Sequence, residues 1–220
     1  MNRLSILPIA LLLLLAGCNK PAEDGGGALN TKVEDSKSEP GWQVAKNEKE
    51  GISISMPPGW IAWDLSSGDL DKIMAESGKN NPELEKLRPQ ITQLAKAGLY
   101  KLFLIEKSDK PKAFANNVNI LVTKAEAGYD LNKIEAEVKG TSLHGKVTEA
   151  KRVKTTHGEA LRAVREAPLT LPDGKTVQFN SVEYYLVTGG NVHVLTFSAL
   201  KDELPNLQGT FQKMFDSYRV

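Results

Sequence analysis

The stretch from Thr176 to Ala199 most constrains what this chain can fold into, because both of its apolar runs are apolar on two sides. Val182, Tyr184 and Leu186 alternate with Phe179, Tyr185 and Val187, and after Gly189-Gly190-Asn191 the residues Val192 and Val194 oppose Leu195 and Phe197. A strand with one wet face needs apolar residues only at every second position; apolar residues on both sides require cover on both faces. Gly-Gly-Asn between the runs is a tight-turn signal, so the two pair antiparallel. The expected fold is therefore an α/β (α+β) sandwich, a mainly antiparallel sheet between helices.

The rest of the chain supplies both kinds of layer. Ile52, Ile54 and Met56 alternate with serines as a half-buried strand that stops at Pro57-Pro58-Gly59, and a short strand follows from Trp60. Strands are predicted over 100–106, 118–124, 147–155 and 160–166, the last two turning at His157-Gly158. Pro172-Asp173-Gly174-Lys175 is a further hairpin signal. Helical spacing joins Leu70, Ile73 and Met74. A second helix is predicted from Asn81-Pro82 with Leu84, Leu87, Ile91, Leu94 and Ala95 on one face, interrupted at Pro89. A third runs over 131–139 with Asp130 as its cap, and a closing amphipathic helix shows Leu204, Leu207, Phe211, Met214, Phe215 and Tyr218.

At the other end, Arg3 is followed by an almost uninterrupted apolar run from Leu4 to Ala16. A basic start and an apolar stretch too short for the roughly 20 residues of a spanning helix have the form of a secretory signal, expected over 1–17. Leu15-Ala16-Gly17-Cys18 closes the run. These four residues resemble the lipobox of bacterial lipoproteins, a resemblance that implies cleavage before Cys18 and a diacylglyceryl group on its sulfur. Cys18 is the only cysteine of 220 residues, so no internal disulfide can form, and a thioether would remove an otherwise bare exported thiol. From 18 to 41 the composition turns to Gly, Ser, Pro and charged residues, which predicts a flexible tether with a mean reach of roughly 30 Å. Residues 42–220 are then one domain. Asn19 stands where an aspartate would direct inner-membrane retention in some Gram-negative systems, which permits outer-membrane sorting.

A second resemblance covers most of 42–220. Ile52-Ser-Ile-Ser-Met-Pro-Pro-Gly-Trp60 is similar to the opening of Mog1/PsbP-like domains. Tyr184-Tyr-Leu-Val, the Gly189-Gly190 turn, Val194 to Ala199 and the helix to Tyr218 resemble their closing hairpin and helix. That superfamily includes lipoproteins of the LpqN and DcrB kind. The resemblance implies an antiparallel sheet between helices; its members bind small GTPases, assist photosystem assembly or are uncharacterised, so it transfers no functional residue.

The search for chemistry gives little. The basic total of 28 falls to 27 when Arg3 leaves with the signal, equal to the 27 acidic residues, so there is no charge asymmetry to attract nucleic acid. His144 and His157 are expected in surface loops beside glycines, and His193 as a partly buried structural residue facing as Leu195 does. Gly140-Thr-Ser142-Leu-His144 lacks the final glycine of a nucleophile elbow and follows a helix where the elbow follows a strand. Asp69-Leu-Asp71 lacks the glycine of a calcium loop. Glu83 and Glu85 are expected in the first turn of a helix, and Glu135 and Glu137 on a solvated helix face. No cofactor and no metal are expected. Trp42, Trp60 and Trp63 cluster near the tether; Trp60 is expected in the core, and Trp42 and Trp63 are the candidate binding surface. The expectation is a membrane-anchored envelope lipoprotein working as a non-catalytic binding or accessory module for a protein or envelope component. An envelope hydrolase with a site assembled from distant residues, or a carrier of a small apolar ligand, is the alternative.

Overall fold

The computed structural model describes residues 31–37, 39–63, 100–107, 115–141, 145–170 and 176–220. The signal, the lipobox, the helical spacings over 70–95 and the Pro172–Lys175 turn lie outside the described residues.

Three strands, β1 (Thr31–Asp35), β2 (Gln43–Asn47) and β3 (Ile52–Met56), form one antiparallel sheet. A second sheet holds β4 (Trp60–Trp63), β5 (Tyr100–Glu106), β6 (Asn117–Lys124), β7 (Lys146–Thr155), β8 (Gly158–Thr170), β9 (Thr176–Thr188) and β10 (Asn191–Leu200). Its order is β4-β5-β6-β10-β9-β8-β7, with every neighbour antiparallel. Two helices are described, α1 (Leu131–Gly140) and α2 (Leu204–Asp216). The expected sandwich of antiparallel sheet and helices is thus the observed architecture.

The doubly apolar hairpin sits where its sequence demands. β9 and β10 are joined by Gly189 and Gly190, whose φ values of 59° and 75° are those of a two-residue turn that only small residues enter cheaply. On one face Leu195 lies opposite Tyr184 and Phe197 opposite Val182. This face meets α2 and β3 in a core that includes Ile54, Trp60, Phe211, Met214 and Tyr218. On the other face Val192 lies opposite Val187 and Val194 opposite Tyr185, in a second core with Trp63, Phe103 and, from α1, Ile134 and Val138. One sheet thus separates two cores, which is why its central strands have no solvated side.

The helix signals operate as read. Asp130 accepts from the backbone N–H groups of Asn132 and Lys133 at 3.0 Å each, satisfying donors at the start of α1 that have no partner within the helix. In α2 the residues Leu204, Phe211, Met214 and Phe215 are buried, and Phe215 stacks on Tyr184 with ring centroids 3.7 Å apart.

The expected tether over 18–41 is corrected from Thr31 onward, while 18–30 lie outside the described residues. Thr31–Asp35 is strand, paired residue for residue with β2, and Val33 faces Ala45 across the ladder. Its single apolar residue and four polar ones gave no alternation to read; the strand exists because β2 offers it a hydrogen-bonding edge. β2 was equally unreadable and is held between β1 and β3.

Candidate functional site

The two tryptophans expected to form a binding surface do not share one. Trp42 is half-buried against the core beneath α2, with the Lys213 ammonium 5.9 Å from its ring centroid. Trp63 is 2 % exposed and belongs to the second core, stacked on Phe103 at 5.7 Å. The great sheet lies between them. Trp63 is drawn inward because it shares a face of β4 with Ile61, and the register sets it directly against Phe103 of β5. Trp60, on the opposite face, packs edge-on to Phe211 at 6.2 Å, as a core residue should. Cys18, Leu15, Ala16, Gly17 and His144 lie outside the described residues.

The histidines come together in a way their sequence positions did not suggest. His193 is buried on the face it shares with Leu195, and its Nδ1 lies 2.8 Å from the Tyr218 hydroxyl. His157, in the β7–β8 turn, is half-buried rather than a plain surface residue. Its Nε2 lies 2.7 Å from the Tyr218 carbonyl oxygen, so Nε2 carries a proton and donates. Both imidazoles meet the phenol ring edge-on with centroids 6.0 Å away. Burial pushes the His193 pKa below the ordinary histidine value, and the nearby His157 pushes it the same way. Burial also raises the Tyr218 phenol well above its usual range, so it stays neutral.

A second polar cluster was missed altogether. Glu183, 0 % exposed, accepts at Oε1 from Arg165 Nε at 3.1 Å and from Ser181 Oγ at 3.0 Å, and at Oε2 from the Tyr185 hydroxyl at 2.6 Å. Arg165 also donates from Nη1 to the Gly145 carbonyl at 3.3 Å, while its Nη2 is buried with no hydrogen-bond partner among the described residues. Burial, reinforced by the charge of Glu183, pushes the Tyr185 phenol far above its usual range, so it remains the donor. The cluster belongs to a polar belt on the second face of the sheet. Register places Asn119, Thr196, Glu183 and Ala163 in one cross-strand row and Asn117, Ser198, Ser181 and Arg165 in the next. Gly145 makes the cluster possible. At φ 105° it runs so close to β8 that a Cβ there would sit 2.6 Å from the Ala167 Cβ and nearer still to the Glu166 carbonyl oxygen.

A signal for this cluster was present. A charged residue on a strand without a wet face must be buried, and a buried charge needs a partner. Glu183 lies between Val182 and Tyr184, and Arg165 follows Leu161 and Ala163 on one face of β8. Chemically the arrangement is closed. The carboxylate is engaged at both oxygens, and the Ser181 hydroxyl donates to it, which makes the group a lock between β8 and β9. Glu135 and Glu137, expected to be solvated, also take partners: Glu135 binds Arg152 at 2.8 Å and Lys139 at 2.7 Å, and Glu137 accepts from the Tyr129 hydroxyl at 2.5 Å.

Among the described residues no group of three His, Cys, Asp or Glu side chains could hold a metal ion, and no helix is long and apolar enough to cross a membrane. No protein-family model matches the chain, and no curated protein sequence matches it significantly. Among solved structures the chain is similar to the cyanobacterial PsbP (CyanoP) of Synechocystis sp. PCC 6803, with 11 % identity over 90 % of this chain and 98 % of that one, at a TM-score of 0.45. It is also similar to LpqN of Mycobacterium tuberculosis, described as involved in cell envelope biogenesis, with 12 % identity over 86 % of this chain and 90 % of that one, at a TM-score of 0.46.

Proposed function

We propose that this chain is a membrane-anchored lipoprotein of the bacterial cell envelope, acting as a non-catalytic accessory module. Lipid on Cys18 is its membrane partner, and a protein or another envelope component is its ligand. The observation that carries the reading is Leu15-Ala16-Gly17-Cys18 placed directly after an apolar run with one basic residue before it. The lone cysteine supports it, since the same sulfur accounts for both the motif and the absence of any second thiol. One acyl chain holds a protein to a bilayer only marginally; two or more, at about 0.8 kcal/mol per buried CH2, hold it firmly.

The fold refines the geometry of that reading. Thirteen residue steps separate Cys18 from Thr31, the first residue of β1. Fully extended they would span about 45 Å, so β1 would work within that distance of the bilayer.

The test is expression of the full chain in a bacterium with the lipoprotein pathway, with labelled fatty acid in the medium. Wild type takes up label and partitions into detergent, and Cys18→Ser does neither. Equal partitioning of the two without label in either would overturn the proposal.

A further inference from the structure

The segment following α2 is held by contacts that differ in kind along its length. Ser217 Oγ accepts from the Ser55 backbone N–H at 2.8 Å while donating to the Met214 carbonyl at 2.6 Å. Arg219 exchanges two backbone hydrogen bonds with Ser53, at 2.9 and 3.1 Å. Residues 217–219 thereby cover the edge of β3 that β2 leaves open, supplying partners to backbone groups that an edge strand otherwise presents to any passing chain. Between these contacts stands Tyr218, 0 % exposed, its hydroxyl against His193 and its carbonyl against His157.

From this geometry we propose that Tyr218 is an acid-sensitive clasp: protonation of His193 releases residues 217–219 and bares the free edge of β3. The groups that face His193 decide the sign. Its cross-strand neighbours are Val122 on β6 and Leu186 on β9, neither titratable. His157 faces it from the β7–β8 turn, and Tyr218 from the segment after α2. The neighbouring Arg219 brings a permanent positive charge, its guanidinium donating to the Tyr218 and Asp216 carbonyls. The Asp216 carboxylate accepts from Gln212. Among the described residues no carboxylate acts on His193, so a proton there adds a buried positive charge close to His157 with nothing to compensate it.

The linkage follows. The folded-state affinity of His193 for a proton is depressed, so its contribution to holding the clasp is whole above the ordinary histidine value near 6.5 and declines as pH falls through it. Opening moves the imidazole toward water, where it charges freely. The rest of the sheet need not follow, because β10 remains paired with both β6 and β9.

Hydrogen exchange on the full chain at pH 7.5 and 5.0, corrected for intrinsic rates, tests this. The amides of Ser53 and Arg219 lose protection severalfold at pH 5.0, the direction that a depressed proton affinity of His193 requires, while the amides of β9 and β10 hold theirs. In His193→Gln the pH dependence of the Ser53 and Arg219 amides disappears. As a check that needs no variant, the His193 ring resonances of the wild type move in the same pH range as this loss. Equal protection at both pH values, a loss shared by β9 and β10, or a His193 titration that leaves both amides protected would each overturn the clasp.

Discussion

Glu183 and Arg165 show how much one pair of side chains can decide when both are beyond the reach of water. Three donors converge on the carboxylate, and the guanidinium spans from β9 to the Gly145 carbonyl. Removing one partner of a buried ion pair costs about 3–5 kcal/mol because the other charge is left alone, whereas removing both for apolar residues of similar size is close to neutral. Urea unfolding should therefore show Arg165→Ala destabilised by about that amount, and the double variant Arg165→Met/Glu183→Leu recovering most of it. Additive losses would mean that the pair does not act as a unit. This residue-level logic was available in outline: a glutamate inside a doubly apolar strand announces a buried charge. Its partner could not be named, because the Pro172-Asp173-Gly174-Lys175 signal announces a hairpin but not the register that brings Arg165 beside Ser181. The histidines teach the same lesson from the other side. His193 was legible as buried by its face on β10, but its meeting with His157 depends on where α2 ends.

Elements were legible wherever periodicity was strong. β3 and β5 have the bounds that alternation and turn residues gave, and α1 begins at the cap that Asp130 announces. β1 and β2 were invisible for a physical reason. Their polar residues satisfy each other across the ladder, Lys46 with Glu34 at 2.6 Å and Lys32 with Glu48 at 2.8 Å, so solvent-facing charges outnumber apolar positions and the pattern resembles a linker. Binding of α2 to the sheet rests on the opposite kind of residue. Phe211 is buried, edge-on to Trp60 and 5.2 Å from the Phe197 ring centroid. Phe211→Ala should cost about 3–5 kcal/mol, read as a lower urea midpoint with an unchanged slope. A loss below about 1 kcal/mol would show that α2 is not the principal cover of this core.

At the scale of the molecule, one sheet with a core on each face explains why the sequence has so few wet strand faces and why two tryptophans 21 positions apart end on opposite sides. Cover on both faces of the sheet could be inferred from 24 residues of one hairpin, because doubly apolar strands have no side that can face water, and the helical spacings elsewhere named helices as part of that cover. A binding site could not, since the aromatic cluster read near the tether is divided by the sheet. What the chain is proposed to do in the envelope rests on Cys18. The most direct measurement is the intact mass of the protein extracted with detergent from the membranes of a lipoprotein-processing bacterium. The account predicts a chain that begins at Cys18 and carries the added mass of at least two acyl chains on that residue. A chain that retains Met1 to Gly17, or one with an unmodified Cys18 thiol, would contradict it.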